Sequence, residues 1–112
     1  MELEEEIIED IIIVKPPVKR IDSAVAQKFK ELLLKAVGDG SKKLILDLSA
    51  VEFIDSRGLG TLVAALKATG STGVLILCQI REPVMGLFKL TRTDQIFTIM
   101  DSREIAVESL KQ

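Results

Sequence analysis

Apolar residues along this chain alternate between two patterns: short, dense β-branched clusters, and longer stretches in which they recur every three or four positions. That alternation predicts strands and helices in turn. Ile7-Ile8 and Ile11 to Val14, split by Glu9-Asp10, predict an N-terminal hairpin that ends at Pro16-Pro17, since neither proline can donate to a ladder. After Asp22-Ser23, which offer N-cap chemistry, Val25, Phe29, Leu32, Leu33, Ala36 and Val37 follow helical spacing as far as Gly38-Asp39-Gly40. The apolar run from Leu44 to Ile54 reads as strand-like, with Leu44 to Leu48 as the central strand, buried on both faces.

A second helix is expected from about Ser56, with Leu59, Leu62, Val63 and Leu66 facing the sheet and Gly70 to Gly73 ending it. Val74 to Cys78 predicts another buried strand, and Pro83 suits the first turn of a third helix with Val84, Leu87 and Phe88 inward. Ile96 to Ile99 predicts the last strand. Asp101 and Glu104 resemble a capping box for a terminal helix that buries Ile105 and Leu110. The order ββαβαβαβα implies an α/β fold whose small mixed sheet is parallel apart from the hairpin, with helices as crossovers.

Composition narrows the function. At 112 residues, 47% hydrophobic and 29% charged, the chain is expected to form one domain over residues 1–112. Its net charge of -2 comes from interspersed acids and bases, so no basic stripe is present for nucleic acid. With one cysteine, Cys78, and no histidine, zinc sites, CxxC redox pairs and histidine-based triads are excluded, and Cys78 is expected in the core. The acidic start, Met1 to Glu6, reads as a solvated strand edge or frayed end. It has the wrong charge for a secretory signal, and no apolar run is long enough to cross a bilayer, so a cytoplasmic protein without membrane contact is expected.

The residues with most chemical content are Asp55-Ser56-Arg57-Gly58-Leu59-Gly60, where a strand hands over to a helix. A helix N-terminus has unpaired N–H groups and a positive dipole end, so it can accommodate an oxygen or a phosphate. Ser56 is not set up for hydrolysis: no glycine lies two residues before it, no histidine exists, and no Ser-x-x-Lys motif supplies a base. Gly58-Leu59-Gly60-Thr61-Leu62-Val63 lacks the third glycine of a dinucleotide fingerprint, and Lys67 is badly placed for a P-loop. Asp47, Glu52 and Asp55 suit solvated or capping roles better than a magnesium site. No enzyme activity, metal or cofactor is expected. On local physics Ser56 is an N-cap hydroxyl, and Gly58 and Gly60 allow tight packing where the helix crosses the sheet.

Leu46 to Gly60, and above all Asp55-Ser56-x-Gly58-Leu59-Gly60, resembles the signature of the bacterial anti-sigma factor antagonists, the family that names the STAS domain. The resemblance spans nearly the whole chain. It implies a small sheet with four helices and a partner switch. The serine matching Ser56 would be phosphorylated by an anti-sigma factor that is a GHKL-type serine kinase, and a serine phosphatase would reverse this. The unphosphorylated form would bind the anti-sigma factor and release a sigma factor. By the same resemblance Asp22, Ser23, Asp55, Arg57, Gly58, Leu59 and Gly60 belong to the partner-binding region. The alternative is a non-enzymatic scaffold or sensor subunit in which Ser56 is only a helix cap. Val18-Lys19-Arg20-Ile21-Asp22 departs from the family's Gly-Glu-Leu-Asp-like turn, and Arg57 adds positive charge where smaller residues are common.

Overall fold

The computed structural model describes residues 1–111. A hairpin of β1 (Glu4–Ile8) and β2 (Ile11–Lys15) leads through β3 (Arg20–Ile21) to α1 (Ala26–Val37) and β4 (Lys43–Asp47). β5 (Phe53–Ile54), α2 (Ser56–Ala68), β6 (Val74–Cys78), α3 (Glu82–Thr91), β7 (Thr98–Met100) and α4 (Arg103–Leu110) complete the chain. The main sheet has the order β1-β2-β4-β6-β7, antiparallel only at β1–β2. The expected mixed α/β fold with four helices is therefore present among the described residues. Its extra feature is a second, two-stranded parallel sheet of β3 and β5.

Both faces of the inner strands β2, β4 and β6 are covered, which is why these three read as dense apolar runs, whereas the edge strand β1 is acidic and exposed. Within each strand, successive side chains still go to opposite faces. Val14, Leu44, Leu46, Leu75 and Leu77 pack with Phe29 and Leu33 of α1, Leu59 and Leu62 of α2, and Val84 and Phe88 of α3. Ile11, Ile13, Ile45, Ile76 and Cys78 pack under Ala106 and Val107 of α4. Cys78 is fully buried as expected; burial, followed by the nearby Asp47 charge, pushes its thiol up to about 12.

Four local expectations need correction. The long strand-like run stops at Asp47, because Leu48 to Val51 forms a hydrogen-bonded turn before β5 begins. α1 starts at Ala26 with no side-chain cap; Asp22 instead accepts a bond from the Ala24 N–H in the preceding loop. The last strand is shifted to Thr98–Met100, since Thr93–Gln95 forms a 3₁₀ turn that leaves Ile96 exposed. α4 is capped by Ser102, whose hydroxyl accepts from the Ile105 N–H, and this phase turns Ile105 to solvent and buries Ala106 and Val107.

α4 is fixed by an ion pair as well as by packing. Arg103 donates from Nε and Nη2 to one oxygen of Asp47, at 3.0 and 2.7 Å, and from Nη1 to Glu6 at 2.8 Å. The other Asp47 oxygen accepts from the Ser49 N–H at 2.8 Å. Burial alone would push the Asp47 carboxyl up, but the Ser49 bonds and the Arg103 guanidinium outweigh it and hold it below the usual carboxylate range. This pairing accounts for an acid at the end of an otherwise apolar strand.

Candidate functional site

The small β3–β5 sheet builds the site. The Lys19 carbonyl accepts from the N–H groups of Glu52 and Phe53, and the Ile21 carbonyl accepts from Asp55 at 3.2 Å. These bonds bring the segment after the prolines alongside the segment that ends in Asp55-Ser56. Residues about thirty positions apart in sequence thus lie side by side, and Asp22 and Asp55 both follow immediately on the paired strands.

Asp55 has extended backbone, with φ of -103° and ψ of -175°, and caps α2: one carboxylate oxygen accepts from the N–H groups of both Arg57 and Gly58, each at 3.0 Å. The cap is therefore Asp55 and not Ser56. Ser56 is the first helical residue, where a side chain no longer reaches back over the helix end. Its hydroxyl is exposed and has no hydrogen-bond partner among the described residues. No structural task within the fold occupies it.

The two glycines of the motif differ. A Cβ at Gly58 would lie 2.5 Å from the Ile21 carbonyl oxygen and 2.7 Å from Ile54 Cγ1, so this turn of α2 fits against the small sheet only without a side chain. A Cβ at Gly60 would meet nothing within 4 Å, which corrects the expectation that both serve tight packing. Gly58 and Leu59 are buried, whereas Ser56, Arg57 and Gly60 face solvent. Of the seven expected partner-binding positions, Ser23, Arg57 and Gly60 line one depression of about 360 Å³ between α1 and α2, together with Gln27, Lys30 and Thr61. Thr61 ties its floor, its hydroxyl donating to the Arg57 and Ala26 carbonyls.

Sequence reasoning missed an exposed pair beside this motif. The Arg20 guanidinium lies 4.1 Å above the centre of the Phe53 ring, which is 39% exposed, and its Nε donates to Asp22 at 3.4 Å. The available signal was the alternation of Phe53 with buried Ile54, which places the ring outward. Among the described residues no three His, Cys, Asp or Glu side chains converge to hold a metal, and no helix is long and apolar enough to cross a membrane.

Comparison with known proteins gives one consistent result. The STAS domain family matches residues 2–106. The anti-sigma-F factor antagonist RsfB of Mycobacterium tuberculosis is 31% identical over 83 residues, covering 71% of this chain and 68% of RsfB. The crystal structure of TM1081 from Thermotoga maritima superposes with a TM-score of 0.85 at 31% identity, covering 98% of this chain and 95% of that one. Bacillus SpoIIAA, solved in its phosphorylated form, shares the fold with a TM-score of 0.71 at 16% identity, over 97% of this chain and 99% of its own. With the family match running through both sheets and three of the four helices, and with the Asp55 to Gly60 helix start in place, the chain belongs to the STAS domain family and has an anti-sigma factor antagonist among its relatives.

Proposed function

We propose that this protein is an anti-sigma factor antagonist controlled by phosphorylation of Ser56. In its unphosphorylated form it binds, in the cytoplasm, an anti-sigma factor that is also a GHKL-type serine kinase, and thereby frees a sigma factor. Phosphorylation ends the binding, and a serine phosphatase restores it. The observation that carries this reading is the state of Ser56: exposed at the first position of α2, with its hydroxyl unengaged and the helix capped by its neighbour. A phosphate can be added there without breaking any internal bond.

The energetics separate fold from interface. A phosphoserine adds about -1.5 to -2 charges. A helix N-terminus favours an anion by roughly 0.3 to 2 kcal/mol, yet Asp55 already engages two of its N–H groups and repels a second anion. The two effects oppose, so the phosphoprotein stays folded. At a partner interface that offers it no cation, desolvating the same charge costs several kcal/mol, and each 1.4 kcal/mol is tenfold in affinity.

The test is to incubate the protein with ATP and the cognate kinase and map the phosphate by mass spectrometry. Labelling is expected at Ser56 and absent in Ser56→Ala. Equal labelling of Ser56→Ala would remove the assignment. A scaffold role would instead give no labelling, with partner binding indifferent to Ser56→Asp.

A further inference from the structure

The charged groups on the elements around Ser56 are not equally available. Asp55 directs its carboxylate onto the Arg57 and Gly58 N–H groups, and Asp22 directs its own onto Ala24 with Arg20 alongside. The two acids that follow β3 and β5 are thus engaged by the chain itself, and Glu52, at the other end of β5, does not line the depression. Lys30 and Arg57 are exposed and have no ion-pair partner among the described residues. Both line the depression between α1 and α2, and no acid contributes to its wall. Thr61 has its hydroxyl committed to main-chain carbonyls, so the groups left to recognise a ligand are the two cations, with Ser23 and Gln27 beside them. Gly60 contributes no side chain, and the space above it is open.

We propose that this depression receives carboxylate side chains of the anti-sigma partner, so that an acidic face on the kinase is what selects this antagonist. The inference rests on the reading of Ser56 as a partner switch and adds the chemistry of the partner to it. In water Lys30 and Arg57 are hydrated and contribute little. When a partner covers the depression, water is excluded and each cation–carboxylate pair strengthens, with the Arg57 fork able to grip a carboxylate through two parallel bonds. A phosphate on Ser56, which adjoins Arg57 in the chain without itself lining the depression, brings negative charge close to those carboxylates and opposes them. Electrostatic repulsion then joins desolvation in switching the binding off.

The experiment uses the purified kinase that labels Ser56 as the probe and measures Kd at low and high salt for wild type, Lys30→Glu, Arg57→Glu and their Gln counterparts. Lys67→Glu, near the far end of the same helix, is the control. The reversals should each weaken binding by roughly tenfold or more and flatten its salt dependence, with the Gln variants intermediate and Lys67→Glu like wild type. Thermal midpoints should be unchanged, since both side chains are exposed. If a kinase labels Ser56 yet binds all variants with equal Kd and equal salt slope, the acidic-partner inference is wrong while the switch stands. If no kinase labels Ser56, both fall.

Discussion

Replacing Gly58 by alanine adds a single methyl group at the tightest point of the site. The new Cβ would lie 2.5 Å from the Ile21 carbonyl oxygen, 2.7 Å from Ile54 Cγ1 and 2.8 Å from Ile21 Cγ2, against about 3.5 Å for a comfortable contact. An opening of the order of 1 Å is needed, and the nearest atom is main chain. That carbonyl cannot simply swing away, because it accepts the Asp55 N–H at 3.2 Å and Ile21 is fully buried. Overpacking of this kind costs about 1–3 kcal/mol, and a clash with main chain belongs to the upper part of that range. Alanine returns about 1 kcal/mol through helix propensity. The net loss should be about 1–2 kcal/mol, lowering the thermal midpoint by roughly 5–10 °C. Gly60 and Gly86 supply the control: both lie inside helices, both are exposed, and a Cβ at either meets nothing within 4 Å. Their alanine variants should gain about 0.5–1 kcal/mol. Urea and thermal unfolding of the three variants test the argument, because one chemical change carries opposite signs. Gly58→Ala as stable as wild type, or losses of similar size at all three positions, would refute it.

Asp55→Ala should cost about 0.5–2 kcal/mol in urea unfolding through loss of the α2 cap, while Ser56→Ala stays within about 0.5 kcal/mol of wild type; equal losses would return the cap to Ser56. Ser56→Asp should abolish partner binding in a pull-down while its thermal midpoint hardly moves, and unfolding of that variant would defeat the interface argument. Asp47→Asn should cost about 1–3 kcal/mol near neutral pH, at the modest end for a buried pair because Arg103 keeps Glu6. Since the folded Asp47 pKa is depressed, its contribution is complete above the ordinary carboxylate value near 3.9 and is lost as pH falls through the folded value. The stability gap between wild type and Asp47→Asn should therefore be constant from about pH 5 to 8 and close below about pH 4. Cys78, buried with its thiol pushed up to about 12, should react with a thiol reagent at pH 8 only at the rate of unfolding, and rapid native labelling would contradict its packing.

The centre of the main sheet was legible because β2, β4 and β6 are covered on both faces and so appear as dense apolar runs, while the helices carry their own period and stop signals. What escaped was set by tertiary contact. β3 and β5 are two residues each, too short to show a period, and they exist because the Lys19 and Ile21 carbonyls find donors across a gap of some thirty residues. Ile105 looked like a core residue in a helix phased from Asp101, but capping by Ser102 fixes the phase that buries Ala106 and Val107. At the site, the helix start and its six-residue motif could be read directly. A capping role stood open for both Asp55 and Ser56, since Asp and Ser are equally good caps, and only the backbone at Asp55 decides which one serves and so the division of labour between them.

That division bears on how the site can vary. The main-chain ladder of β3 and β5 ties Lys19 to Ile21 to the strand that immediately precedes Asp55, and it uses carbonyl and N–H groups, not side chains. The outward side chains of this segment can therefore change without moving Ser56. Here they are Lys19 and Arg20, with Arg20 resting on Phe53, and the depression between α1 and α2 is bordered by Lys30 and Arg57. The inward residues are less free: Ile21 must be apolar, and Gly58 must lack a side chain to sit against it. A serine held in place by main-chain bonds and a surface made of replaceable side chains would allow the proposed phosphorylation site to serve partners of different charge. In this chain the replaceable part is basic, and that is the reason to look for the proposed kinase partner among those with an acidic face.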